Sequence, residues 1–185
     1  MRTLVDMSSY GEYLHYGMPL TLVSVLDAAG RANVSTNASI TPLPGQTARL
    51  AIGIMKDNYT NELIAAGGEF VVNVLSDEMR GVARLCGSHS GQHTDKLALA
   101  GLTTQPARFV KAPIIAECPL NIECRVLGVQ HLDDLDLWTA NILGISVAAA
   151  WSDGHNGVSL ERFRPLLYAF GQTMARGAMV GRGAI

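Results

Sequence analysis

Residues 120–126 alternate without a slip: Leu120, Ile122, Cys124 and Val126 are apolar, and Asn121, Glu123 and Arg125 between them are polar or charged. A period of two puts every apolar side chain on one side of an extended chain, so the segment reads as an antiparallel strand with one buried face. A strand of that kind needs partners on both edges and a layer over its apolar face. The remaining chain must supply them, and most of it is suited to do so.

Leu20–Leu26 is rich in β-branched and aliphatic residues and ends at Asp27-Ala28-Ala29-Gly30, a turn signal. Asn33–Ile40 continues as a polar, β-compatible stretch until Pro42-Leu43-Pro44-Gly45 breaks it. Ala48–Met55 and Phe70–Leu75 read as buried strands, with a short helix between them that has Thr60 as N-cap, Glu62 in its first turn and Gly67 as its stop. Ser76-Asp77-Glu78 opens a second helix whose acids complement the dipole. Met79, Val82, Leu85 and Cys86 mark its buried stripe, and Gly87 closes it. The acidic turn Asp133-Asp134-Leu135-Asp136 leads into a long strand, Trp138–Trp151, and a last strand spans Leu166–Phe170. Strands that so rarely alternate with long helices argue against a doubly wound parallel sheet. The expected fold is mainly β: a closed antiparallel barrel with short helical excursions, one domain over residues 1–185.

Charge and cysteine content narrow the function. Lys and Arg total 14 against 16 Asp and Glu, a net charge of −2, which excludes the clustered basic surface of a nucleic-acid binder. Hydrophobic residues make up 48% and charged residues only 16%, so the chain is not disordered, and it is expected to bury surface beyond a monomer core as an oligomer. No apolar run approaches the roughly 20 residues of a membrane helix, and Met1–Asp6 lacks a secretory pattern, so a cytoplasmic location is expected. Cys118 and Cys124, if they share a strand, lie about 20 Å apart, beyond the roughly 7 Å a disulfide allows. The three cysteines, with Cys86, are expected to be buried free thiols in a reducing compartment, which leaves the Asn-x-Ser/Thr sites at Asn33, Asn37 and Asn58 without glycosylation meaning.

Catalytic motifs are sparse. There is no GxGxxG, no GxxxxGK[ST] and no HExxH. Gly87-Ser88-His89-Ser90-Gly91 has His89 where a nucleophile elbow requires Ser. His89 and His93 lack carboxylates at matching spacing, so no metal site is expected. What stands out instead is a supply of short polar donors. Asn33, Ser35, Thr36, Asn37 and Ser39 lie on one segment, and Lys56, Asn58, Tyr59 and Thr60 gather at the start of a helix, whose free N–H groups favour a phosphate. Ser90, Gly91, Thr94 and Lys96 add a loop. Each group alone is explained by a solvated strand, a helix cap or an ordinary loop; together they point to a phosphorylated ligand bound by a barrel.

The order of several short motifs resembles a known family. They are Pro19-Leu-Thr-Leu-Val-Ser24, Gly30-x-x-Asn33-x-Ser35-Thr36-x-x-Ser39, Pro42-x-Pro44 and Tyr59-Thr60-x-x-Leu63-Ile64. Further on come Gly68-Glu-Phe-Val-Val-Asn-Val-Leu75, Ser90-Gly91-x-x-x-Asp95-Lys96-Leu97 and Ala112-Pro113-x-x-x-Glu117-Cys118-Pro119-x-x-x-Glu123-Cys124. The chain is similar over Met18–Gly171 to the flavin reductase-like, FMN-binding split-barrel family, nearest its flavoredoxin-type branch. That resemblance implies a Greek-key split barrel and a homodimer with FMN, rather than FAD, near the subunit interface.

It also implies roles. Asn33, Ser35, Thr36, Asn37, Ala38 and Ser39 would line the isoalloxazine and ribityl chain. Lys56, Asn58, Tyr59 and Thr60 would hold the phosphate with Ser90 and Lys96 close by, and Tyr168 and Phe170 would pack on the flavin. Two features depart from the pattern: Met55-Lys56-Asp57-Asn58 carries Lys where many relatives have Arg, and Pro42-Leu43-Pro44-Gly45 replaces Ser-x-x-Pro-Pro. A lysine offers a point charge rather than a bidentate fork, which lowers the phosphate affinity expected there. The implied activity is an NAD(P)H-dependent flavin reductase, passing electrons to free flavin, a partner monooxygenase or another electron-transfer protein. An FMN-binding electron carrier without direct NAD(P)H use is the alternative. A third is a split barrel that binds haem or pyridoxal phosphate without redox turnover.

Overall fold

A computed structural model describes residues 16–155, 157–159, 161–169 and 172–175. The chain opens with β1 (Tyr16–Pro19), β2 (Thr21–Leu26), β3 (Ala32–Asn37), β4 (Ile40–Leu43) and β5 (Arg49–Met55). Helix α1 (Tyr59–Gly67) precedes β6 (Glu69–Val74), and a 3₁₀ turn (Asp77–Met79) leads into α2 (Arg80–Ser88) and the short α3 (Lys96–Ala100). After the two-residue strands β7 (Thr104–Gln105) and β8 (Ile114–Ile115) come the longest elements, β9 (Leu120–His131) and β10 (Leu135–Val147). A 3₁₀ turn (Ala149–Trp151), β11 (Leu166–Ala169) and β12 (Gln172–Ala175) complete the described chain.

Seven strands form the main sheet in the order β3-β2-β6-β9-β10-β5-β4, every pair antiparallel. The sheet curls until its two ends approach: Gly53 N–H on β5 donates to the Ser39 carbonyl at 2.9 Å, and Asn37 Nδ2 donates to the Gly53 carbonyl at 2.8 Å. The ends therefore meet just beyond β3 and stay apart elsewhere, which makes the barrel split. Val23, Val25, Ile52, Phe70, Val72, Cys124, Trp138 and Ala140 fill the interior, and Leu63 and Ile64 of α1 pack against them. A second apolar cluster lies outside β2 and β3, where α2 and α3 pack with Leu22, Val34, Leu75, Cys86 and Cys118. All three cysteines are free and buried. Burial pushes the Cys118 and Cys124 thiols up to about 12, as structural core residues require.

The mainly β expectation is met, and the differences have local causes. The polar stretch expected as one strand from Asn33 to Ile40 divides at Ala38-Ser39, where the barrel closes. Pro42 is inside β4 rather than ending it, because β4 is an edge strand paired only with β5 and needs no N–H on its other side. Helix α1 is capped by Asn58, whose Oδ1 accepts the Thr60 N–H at 2.9 Å, so Thr60 is inside the helix. Gly68, not Gly67, ends it with φ 67°. Helix α2 continues through Gly87 to Ser88. The strand expected over Trp138–Trp151 begins earlier and ends at Val147. The strand expected over Leu166–Phe170 is β11, described from Leu166 to Ala169, and Phe170 lies outside the described residues. Among the described residues no helix is long and apolar enough to cross a membrane.

Candidate functional site

Strand β3 is one edge of the main sheet: β2 pairs one side of it, and among the described residues no strand pairs the other. Every second residue therefore turns its backbone N–H and C=O outward from the sheet. Its register sets two side-chain faces. Asn33 and Ser35 stand opposite Val25 and Val23 on the barrel-interior face, while Val34 and Thr36 stand opposite Ser24 and Leu22 on the face under α2. Two adjoining grooves run along this edge. One, of about 500 Å³, is bounded by Asp27, Arg31, Asn33, Tyr59 and the loop from Gly91 to Lys96. The other, of about 250 Å³, is bounded by Ser35, Thr36, Asn58, Tyr59, Ser90 and Lys96. Tyr59, Gly91 and Lys96 belong to both.

Lys96 is the buried charge of this site. It is the first residue of α3, held in place by Asp95, whose carboxylate caps the helix by accepting the Ala98 N–H at 3.0 Å. The residue is only 5% exposed, and among the described residues its Nζ has one hydrogen bond, to the Cys86 carbonyl at 3.3 Å. Burial holds the Lys96 ammonium below the ordinary lysine value of 10.5. A buried ammonium with two N–H donors to spare is satisfied by an anion. The neighbours are neutral donors: the Ser35 hydroxyl and Asn58 Nδ2 have no hydrogen-bond partner among the described residues and border the same groove. Cys86 also borders it, but burial raises its thiol pKa, which makes it a poor nucleophile.

The loop fits closely over β3. A Cβ on Gly91 would sit 1.9 Å from Asn33 Oδ1, so only glycine lets the loop approach. Asn33 cannot easily yield, since its Nδ2 donates to Thr60 Oγ1 at 3.0 Å beneath it. Thr36 in turn is fixed by its Oγ1 donating to the Ala83 carbonyl at 2.7 Å, which ties β3 to α2.

The structure thus brings together Asn33, Ser35, Thr36, Asn58, Tyr59, Ser90 and Lys96 from the sequence expectations. Thr60 is fully buried behind Asn33 rather than facing either groove. Asn37 and Ser39 are used in closing the barrel, and Ala38 packs on the second apolar cluster. Lys56 turns the other way: its Nζ donates to the Leu132 carbonyl and, at 3.2 Å, to that of Asp133. Tyr168 borders a third groove, of about 560 Å³, that also contains Thr36, Arg80 and Arg84. Sequence reasoning missed Arg31, Arg80 and Arg84, although the paired acid and base at Asp27 and Arg31, now 2.7 Å apart, were visible as an i,i+4 spacing. Ser88 and His89 form the end of α2 and its cap, not a strand-to-helix elbow. Among the described residues no three His, Cys, Asp or Glu side chains are grouped to hold a metal ion.

The family model described as flavin reductase like domain matches residues 13–175. The chain belongs to the flavin reductase-like family. An NADH:riboflavin 5'-phosphate oxidoreductase of Streptomyces pristinaespiralis is 29% identical over 135 residues, 73% of this chain and 72% of that one. The flavoredoxin of Methanosarcina acetivorans superposes with a TM-score of 0.87 at 24% identity, covering 98% of this chain and 95% of the other. Nitrilotriacetate monooxygenase component B of Bacillus cereus gives 0.86 at 14% identity, covering 98% of each. These likenesses place the fold among flavin reductase-like split barrels, as the sequence resemblance implied.

The residues present fit a phosphorylated flavin. A planar, hydrogen-bonding heterocycle suits a free strand edge, and a phosphate suits a buried lysine among neutral donors. Ser88 Oγ and His89 Nδ1 border the second groove 3.0 Å apart, but both also bond the Leu85 carbonyl at the end of α2, and among the described residues no carboxylate bonds that imidazole to orient it as a base.

Proposed function

We propose that this protein is an NAD(P)H-dependent flavin reductase that binds FMN along the free edge of β3. The observation that carries the reading is Lys96, a buried ammonium with two spare donors at the meeting of two grooves lined by uncommitted hydroxyl and amide groups. Lys96, Asn58 and Ser90 hold the phosphate, and Tyr59 separates the two grooves. The backbone of β3 and the Ser35 hydroxyl orient the heterocycle. When bound, the flavin supplies a hydride acceptor at N5 and delocalises the resulting negative charge. The protein's part is orientation and donors aimed at that charge. Asn33 and Gly91 fix the loop so that Lys96 stays in place, and Tyr168, reached past Thr36, packs on the ring.

FMN is favoured over FAD because one buried cation serves one terminal phosphate. The electron acceptor is free flavin or a partner protein, consistent with an NADH:riboflavin 5'-phosphate oxidoreductase and a monooxygenase component among the proteins of similar sequence or fold. The homodimer is assigned to β9 and β10, where Leu127 and Ile145 are 54% and 60% exposed; a monomeric hydrodynamic mass at micromolar concentration overturns it.

The test is a visible absorption scan of protein equilibrated with FMN and desalted, repeated anaerobically with NADH or NADPH. Retained flavin bands that bleach are the expected result. Retained bands that bleach only with a reduced partner protein make it an electron carrier instead. Protein that retains no flavin and turns over none defeats the proposal.

A further inference from the structure

The third groove has a chemistry of its own. Its wall is Leu20, Ala83 and Tyr168, and its charge comes from Arg80 and Arg84. The two arginines are four residues apart on α2, so their side chains are neighbours on one helix face. Like charges at that spacing destabilise a helix. Arg80 is also the first residue of α2, where the dipole disfavours a cation. Neither guanidinium makes a hydrogen bond, ion pair or ring contact among the described residues. Arg31, Arg125 and Arg49 are committed, to Asp27, Glu69 and Asn141, whereas Arg164 shares the lack of a partner among the described residues but stands alone and borders no such groove. A doubly unfavourable, unpaired cationic pair beside a groove of about 560 Å³ is explained by an anion that arrives with a ligand. Thr36 borders both this groove and the one holding Lys96, so the two meet at its side chain.

We propose that Arg80 and Arg84 form a phosphate subsite for the nicotinamide nucleotide, separate from the flavin phosphate site at Lys96. The inference rests on the reductase reading above. A flavin mononucleotide has one phosphate, and Lys96 takes it; a second cationic site implies a second phosphorylated ligand. Planar guanidiniums grip a phosphate bidentately, which a lysine cannot do. The phosphate is either the 2′-phosphate of NADPH or the diphosphate bridge common to NADPH and NADH.

The test is Arg80→Gln/Arg84→Gln in the full chain loaded with FMN. Titration calorimetry with 2′,5′-ADP, a redox-inert probe, is expected to show binding weakened by about tenfold or more. The FMN dissociation constant should stay at its wild-type value, and the melting temperature should hold or rise slightly, since both arginines are exposed and their mutual repulsion is removed. A KM rise for NADPH alone assigns the 2′-phosphate; equal rises for NADPH and NADH assign the diphosphate. Unchanged 2′,5′-ADP binding, a wild type that does not bind the probe, or weakened FMN with unchanged KM each overturns the subsite. A wild type that retains FMN, oxidises neither nucleotide, yet binds 2′,5′-ADP through these arginines overturns the reductase reading and leaves the subsite standing.

Discussion

Two polar clusters lie on the outer side of the sheet, one around Asn73 under β8 and one around Lys96 at the β3 edge. Asn73 is fully buried, and its amide is consumed: Nδ2 donates to the Leu22 carbonyl and to Ser24 Oγ, each at 2.9 Å. Its Oδ1 accepts the Ile115 N–H at 2.9 Å and Asn121 Nδ2 at 2.8 Å. The network clamps the segment around β8 across the outside of β2, β6 and β9. Around Lys96 the opposite holds, because a buried ammonium has one carbonyl partner and Ser35 and Asn58 keep groups in reserve. Closed networks specify a fold; a network left open at the surface of a groove is completed by a ligand.

Breaking the closed cluster gives the largest expected effect. Asn73→Ala leaves the Ile115 N–H without its acceptor and Asn121 Nδ2 with only the Ile115 carbonyl, at 3.3 Å. At roughly 1–3 kcal/mol per orphaned buried group, about 3 kcal/mol or more is lost. For a chain of this size the melting temperature falls by about 6–12 °C, while FMN affinity measured well below the transition stays within about twofold. A melt indistinguishable from wild type would erase the contrast.

Breaking the open cluster reverses the pattern. Lys96→Gln is expected to weaken FMN by roughly tenfold to a hundredfold, the worth of a charge-assisted bond. Riboflavin binding and the melting temperature should hold, or the latter rise, because a buried charge is removed. The pH dependence has a definite sign. The protonated amine binds phosphate, and burial lowers the pKa from 10.5, so FMN affinity falls with rising pH before an ordinary lysine would lose its proton. Stability moves the other way: the burial penalty is full below the folded pKa and is relieved as pH rises towards the unfolded value. Equilibrium titration with FMN across that range, flat for Lys96→Gln, checks the first half, and denaturant melts of the two proteins over the same range check the second.

The first half of β9 was plain from its alternation, and the second half was hidden for a physical reason. A bulge shifts the β9–β10 register between Val126 and Gly128, so period two fails where the strand continues. The donors of β3 were visible as an unusually polar strand, yet their fates divide. Asn33 and Ser35 reach the grooves, whereas Asn37 closes the barrel, because the curl of the sheet and not local sequence decides what each residue meets. Asn58 and Thr60 are both good caps, and their order was settled by a long-range bond, Asn33 to Thr60. Helix α3, with five residues, is too short to show a period, so Lys96 read as a loop residue. Nothing in the spacing of Arg80 and Arg84 separates them from a solvated helix face.

A methyl group sharpens the comparison at the open cluster. Gly91→Ala places Cβ 1.9 Å from Asn33 Oδ1 and 2.8 Å from its Cγ, so the loop that leads to Lys96 must move. Overpacking of about 1–3 kcal/mol corresponds to FMN weakened by about tenfold. Asn33→Gly on that background removes the obstruction and should recover part of the loss. If Gly91→Ala binds FMN like wild type, the loop is not held by this contact.

The smallest effect is expected at the other lysine. The β5–β10 register pairs Met55 with Leu135, which delivers Lys56 to the 132–134 turn. There its backbone N–H donates to the Asp134 carbonyl at 3.0 Å, and its Nζ bonds the Leu132 and Asp133 carbonyls. Asp136 beside that turn is held below the usual carboxylate range, first by Asn61 and then by His131. Lys56 therefore staples an exposed hairpin end, a role in which single polar contacts contribute little. Lys56→Gln should change FMN affinity by less than about twofold and the melting temperature by about 2 °C or less. Side-by-side FMN titrations of Lys56→Gln and Lys96→Gln decide which lysine faces the ligand. Equal losses would mean that the turn opens to release Lys56 on binding, and the phosphate site would then have to be drawn with both.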